Sequence, residues 1–299
     1  MTTHTSAIHL TGPESDLGTS GTPGDASPAR PEQRAANGRL SFDGVLRGEW
    51  IKLLSLRSIR WSIAVMLVIS WAGAALLSLA MLGTDYLTPE AMPQLIVQSA
   101  TFGSMFTVLI MGVLGVLSMS SEYASGLILS SLSAVPARTP VLAAKALVVA
   151  ALGFTVGALS TFGGGLLAAA IFGDFSSFGD PAVLVSMLGN TLYLTLAALL
   201  ALGIGALLRS SAGAISVVVV LLFVSTIVLQ VLMMTGWEWV STVSEWMPAA
   251  LGNTLSTVTL TPAEFRGDVS YWGALGGLAA WAAAALVPAA VLLKTRDAV

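Results

Sequence analysis

Between Ser120 and Lys145 the chain places five residues suited to work at a membrane boundary: Glu122, Gly126, Pro136, Arg138 and Lys145. They lie in the run SEYASGLILSSLSAVPARTPVLAAK, which begins at Ser121. The chemistry such a set offers is recognition rather than bond breaking. A carboxylate behind two serines suits the first turn of a helix, where serine oxygens cap free N–H groups and negative charge meets the helix dipole. Leu127, Ile128, Leu132 and Val135 would give that helix an apolar face, and Pro136 would stop it. A short helix of this kind rests on a membrane or fits a partner's groove, and spacing alone leaves both open.

Other chemistries lack their residues. There is no cysteine, and His4 and His9 are the only histidines, so no thiolate or imidazole is available further along the chain. That leaves no metal site of those ligands and no base to activate the many serines. No G-x-x-x-x-G-K-[ST] run occurs, so the chain is not expected to bind nucleotide by that loop. Within the apolar runs Gln98, Asn190 and Gln230 are the notable polar side chains besides Ser and Thr. A charge at the centre of a span would cost about 2.5–3.5 kcal/mol, and ion-coupled carriers generally hold such charges at depth. Ion coupling is therefore disfavoured. Asn190 and Gln230 are expected to make interhelical hydrogen bonds, each worth roughly 1 kcal/mol.

The elements that must position these residues follow from composition. Of 299 residues 55% are hydrophobic and 10% charged, with mean hydropathy +0.85, against about 25% charged in ordinary soluble domains. The expected fold is all-α: a polytopic membrane protein with six transmembrane helices, an N-terminal interfacial helix and a cytosolic coupling helix after the second span. Spans are expected at about 62–82, 97–119, 142–172, 182–207, 213–235 and 271–293. The third is too long to cross upright, so it tilts, bends or starts outside the hydrocarbon. Lys145, near its beginning, is expected to reach the surface. Gly153 with Gly157, and Gly273 with Gly277, have the small-residue spacing of close helix crossings.

Residues 1–39 are rich in Thr, Ser, Gly and Pro and are expected to form a disordered cytosolic tail. Residues 40–61 are expected to form an interfacial amphipathic helix, with Phe42, Leu46, Trp50, Leu53 and Leu54 on one side and Asp43, Arg47 and Lys52 opposite. Glu49 and Lys52 stand i,i+3, and Arg57 and Arg60 can attract anionic lipid. Residues 62–299 make up the six-span domain. With the N-terminus in the cytosol, every Lys and Arg except Arg266 falls inside, as the positive-inside rule requires. The longest outer segment, about 236–270, carries Trp237, Trp239, Trp246 and Pro248. It suits an aromatic belt at the headgroups, with a lid or gate as the alternative.

The run from Ser121 to Lys145 resembles the signature of ATP-binding-cassette type-2 permeases. In that family the second span leads to a Glu, a nearby Gly, an apolar helix, a Pro with a following Arg, and a Lys opening the third span. Glu122, Gly126, Pro136, Arg138 and Lys145 match in order. Two further stretches are similar: GEWIKLLSLRS, at Glu49, Trp50, Lys52, Leu53 and Arg57, and LGIGALLRSSAGAI, at Gly203, Gly205, Arg209 and Gly213. EWMPAALGNTL before the last span is also like the family. The resemblance, over residues 45–295, implies a permease subunit in a bacterial plasma (inner) membrane. It would pair with a second copy or paralogue and with separate ATPase subunits, which would hold the ATP and magnesium. The interfacial helix and the loop after span two would contact the ATPases. Family members often carry basic residues in the Glu122 helix. Here Ala124, Leu127 and Leu129 stand instead, so the contact is expected to be apolar. The implied function is ATP-driven export of an amphiphilic or hydrophobic substrate such as a drug, peptide antibiotic or lipid. A non-transporting membrane scaffold or sensor would share the topology. The chain itself is expected to be neither an enzyme nor a nucleic-acid binder.

Overall fold

The computed structural model describes residues 42–124, 138–257, 259–261 and 267–295, and no strand occurs among them. Helix is what an apolar chain in hydrocarbon must form, because it closes its backbone hydrogen bonds within the segment. In order come α1 (Phe42–Ser55), α2 (Arg57–Met81), α3 (Met92–Thr101), α4 (Ser104–Ala124), α5 (Arg138–Phe172) and the four-residue α6 (Phe175–Phe178). They are followed by α7 (Pro181–Leu208), α8 (Ser211–Val219), α9 (Ser225–Met233), α10 (Glu238–Glu245), α11 (Pro248–Thr257) and α12 (Tyr271–Thr295). A π-helical turn at Val220–Val224 joins α8 to α9.

Six stretches are long and apolar enough to cross a membrane: Arg57–Met81, Met92–Ser120, Pro140–Phe172, Pro181–Leu208, Ser211–Met233 and Tyr271–Lys294. Each overlaps one of the six expected spans, and the chain is a multi-pass helical membrane protein. The expected tail, residues 1–39, lies outside the described residues.

Helix α7 is the hub. Its most apolar window is 72% buried, against 11% for Ser211–Met233, and it packs against α4, α5, α11 and α12. Small residues make this possible. A Cβ on Gly115 of α4 would collide with the Ala198 carbonyl oxygen of α7, so glycine there sets how near the two backbones come. Gly153 and Gly157 of α5 lie against Thr195 and Thr191 of α7, as their spacing predicts, and Gly277 of α12 meets Leu251 and Trp246. Gly273 does not serve a crossing, since only Ser270 and Val269 approach it.

Helix α5 has 35 residues, about 52 Å at 1.5 Å per residue. That exceeds the roughly 30 Å of hydrocarbon, so it cannot cross upright within it. At its far end Asp174 caps α6. Hydrogen bonds from the Ser176 and Ser177 hydroxyls and the Ser177 and Ser176 amides hold its carboxyl down to about 2, so it stays ionised at neutral pH.

The segment between α9 and α12 folds back against the bundle. Helices α10 and α11 form a hairpin whose tip, Trp246 to Pro248, lies beside α12 rather than beyond its end. Trp246 meets Gly277, six residues or about 9 Å inside α12, and the Trp281 indole N–H donates to the Trp246 carbonyl at 2.9 Å. Helix α11 then runs along α7, with Gly252 flat on the Tyr193 ring and Leu255 against Gly189. Pro248, at N1 where its missing N–H costs nothing, is buried with Leu251 and Leu255.

Candidate functional site

Two places concentrate polar groups, one toward each end of the bundle. At the end where α5 begins, Glu49 of α1 is 7% exposed and Lys145 of α5 is 1% exposed. The Lys145 ammonium donates to Glu49 Oε2, and Lys52 Nζ stands 3.9 Å from Oε1. Leu53, Leu142 and Val148 belong to the surrounding apolar cluster. The expectation that Lys145 reaches the surface is therefore corrected. A charge of opposite sign meets it inside the protein, which offsets the several kcal/mol of desolvation that each ion incurs.

The helix α1 that delivers Glu49 is oriented by this pair. Leu46 and Leu53 turn inward with Glu49, whereas Phe42, Trp50 and Ile51 remain exposed, so the expected apolar stripe is divided between two faces. Arg57 is not part of α1. Leu56 is extended at φ −71° and ψ 119°, and Arg57 opens α2.

The Glu122 segment also differs from its expected start. The backbone of Glu122 continues α4, which runs to Ala124, because Ser120 is buried and its Oγ accepts a hydrogen bond from the Ser211 hydroxyl at 2.9 Å instead of capping a new helix. Gly126 and Pro136, with the coupling helix expected there, lie outside the described residues, and Arg138 opens α5. In the similar stretch near Arg209, Gly203 lies against Ala285 of α12 and Gly205 against Val116 of α4. Arg209 ends α7 in the left-handed region at φ 51°, and the Gly213 amide donates to the Ser210 hydroxyl that caps α8.

Toward the opposite end, a cavity of about 340 Å³ lies where α3, α4, α7, the π turn, α9 and α11 meet. Asn190 on α7 is 2% exposed, and its amide donates to Ser104 Oγ at 2.9 Å and to Thr161 Oγ1 at 2.8 Å. It ties α7 to α4 and α5, as expected of an interhelical hydrogen-bonding residue. Gln230 does not follow that expectation. It is exposed, lies on the cavity wall and makes no hydrogen bond to any described residue. Tyr193, Thr226 and Asn253 join it there, and Thr226 Oγ1 is buried without a hydrogen-bond partner among the described residues. Sequence reading singled out Asn190 and Gln230 but not Tyr193, Thr226 or Ser104. Their only signal is polarity inside apolar runs, which does not say which of them face one another.

The tryptophans divide. Trp237 and Trp239 are exposed and stack at 5.9 Å, while Trp246 sits at the hairpin tip. A second, mostly apolar groove of about 550 Å³ opens between that tip and α12, lined by Val243, Trp246, Met247 and Trp281 among others. No group of His, Cys, Asp and Glu able to hold a metal occurs among the described residues.

The fold and these sites define the class: a six-span helical membrane protein with a charged joint at one end and an uncharged polar cavity toward the other. Comparison with protein-family models and with curated proteins finds no match.

Proposed function

We propose that the chain is the permease subunit of an ATP-driven exporter in a bacterial plasma membrane, with both termini cytosolic, working as a dimer with ATPase subunits on separate chains. The observation that carries this reading is the buried pair of Glu49 and Lys145. It fastens α1 to the root of the third span, eight residues after the segment 125–137 that resembles the permease signature. A push on α1 or on that segment would thus be delivered to the same point of α5. An ion pair in apolar surroundings resists separation strongly, which suits a joint that transmits force. The apolar outward face of α1, with Phe42, Trp50 and Ile51, supports a contact made through shape rather than charge. An uncharged cavity fits an amphiphilic cargo.

Copurification tests the reading. The tagged chain from its native membranes should bring down a subunit that hydrolyses ATP, and its repeated absence would sink the proposal. Glu122→Ala should insert normally yet uncouple ATP hydrolysis from transport in reconstituted vesicles. Unchanged transport would reduce Glu122 to a helix-terminal residue.

A further inference from the structure

The cavity beside Asn190 holds more hydrogen-bonding capacity than the protein uses. Both N–H groups of Asn190 are spent on Ser104 and Thr161, but its Oδ1 accepts nothing among the described residues, although the residue is 2% exposed. The Tyr193 hydroxyl, on a residue 7% exposed, likewise has no partner among them. Thr226 Oγ1 is buried and unpaired. The amides of Gln230 and Asn253, also on the lining, are exposed and make no hydrogen bond to a described residue. A buried polar group without a partner costs about 1–3 kcal/mol, and Thr226 Oγ1 is such a group. The polar atoms of Asn190, Tyr193, Gln230 and Asn253 add unused hydrogen-bonding capacity around the same space. The π turn adds a separate observation. It carries Leu222 and Phe223 onto the wall below Thr226, and such turns, which waste a backbone register, recur at functional sites.

We infer that this cavity is a binding site for an uncharged amphiphile with a hydroxyl-bearing head and a short apolar body. A head that both accepts and donates suits these groups: Oδ1 of Asn190 can take a donor, the amide N–H groups of Gln230 and Asn253 can take acceptors, and a hydroxyl does both. The body meets Met105, Leu222 and Phe223. Among the described residues no Asp, Glu, Lys, Arg or His lines the space, so an ionised head would shed its water without a counter-charge there and is refused. At about 340 Å³ the cavity lies at the small end of ligand sites, which limits the body to a short chain. As a step in transport the inference rests on the permease reading. As a binding site it does not, so its test reads binding alone.

The full chain in nanodiscs is titrated with radiolabelled monooctanoylglycerol, with empty nanodiscs as the background. Saturable binding above background is expected, without competition from octanoate or octylammonium at neutral pH. The double variant Tyr193→Phe, Thr226→Val removes two hydroxyls and no volume to speak of, and should bind about tenfold more weakly. A photoreactive diazirine analogue should label peptides containing Met105 or Phe223 in the wild-type chain, a readout that does not depend on the variant folding. Binding no greater than to empty nanodiscs, equal competition by octanoate, or labelling confined to peptides away from the cavity would each overturn the assignment. Binding with no ATPase partner would leave this site standing while the exporter reading fell.

Discussion

At the scale of residues, the most consequential choice in this chain is to bury Glu49 and Lys145 together. Each meets the opposite charge of the other. Lys145→Met alone leaves the Glu49 carboxylate with Lys52 as its one cationic partner among the described residues, at 3.9 Å and partly in solvent, and should cost about 3–5 kcal/mol of stability. Replacing both, as Glu49→Leu with Lys145→Met, should recover most of that loss, because apolar residues of similar volume often match a buried pair. Thermal unfolding of the detergent-solubilised protein compares the two. A double variant no more stable than Lys145→Met would show that the pair's geometry, rather than an orphaned charge, sets the cost. The same residues show how far types and spacing carry. Glu49 and Lys52 are legible as an i,i+3 pair on one helix, and 3.9 Å is what the structure gives. The partner that buries Glu49 stands 96 residues away, and no periodicity within α1 points to it.

At the scale of elements, what holds α4, α5 and α7 together is the approach of backbones. In lipid the helices gain little from hiding apolar surface, so close van der Waals contact and interhelical hydrogen bonds carry the association. Gly115→Ala therefore tests more than one methyl group. Its Cβ would meet the Ala198 carbonyl, which cannot rotate away, and the helices must part at a cost of about 1–3 kcal/mol. Gly157→Ala is the control, since its Cβ would rest 3.4 Å from the Thr191 carbonyl oxygen. Unfolding temperatures should fall clearly for the first and little for the second. Equal behaviour would mean that the α4–α7 contact is not the tight one. The hairpin of α10 and α11 belongs to this scale too. Its tryptophans read from sequence as a surface belt, yet Leu251, Gly252 and Leu255 fit against α7 and α12, and that fit draws the tip inward.

At the scale of the whole molecule, six spans with both ends on one side make a topology that charge alone predicts. The absence of cysteine makes it easy to test. A single cysteine at Glu90→Cys or Glu238→Cys, both exposed positions, should react with a membrane-impermeant maleimide in intact cells. One at Arg47→Cys, exposed on α1, should react only after the membrane is opened. The reverse pattern would place the termini outside and remove the cytosolic ATPase contact on which the proposed function depends. Together with copurification, this decides whether the charged joint lies on the side where ATP is hydrolysed.

The sequence by itself determined the class of this protein. Long apolar runs in hydrocarbon have helix as their open choice, so the number of spans and the nature of their interior were settled by composition and length. It also named Asn190 as a bridge between helices, but the same reasoning fails for Gln230, because its helix turns it to an exposed position. Only the tertiary structure decided which polar groups face one another. It placed Lys145 inside rather than at the surface, carried Glu122 on at the end of the second span, and gathered Tyr193, Thr226, Gln230 and Asn253 around one space. The reason is physical. Helix formation is dictated by neighbours along the chain, whereas rotation and depth of each helix depend on where small residues let other backbones approach, and those contacts join residues that are remote in sequence.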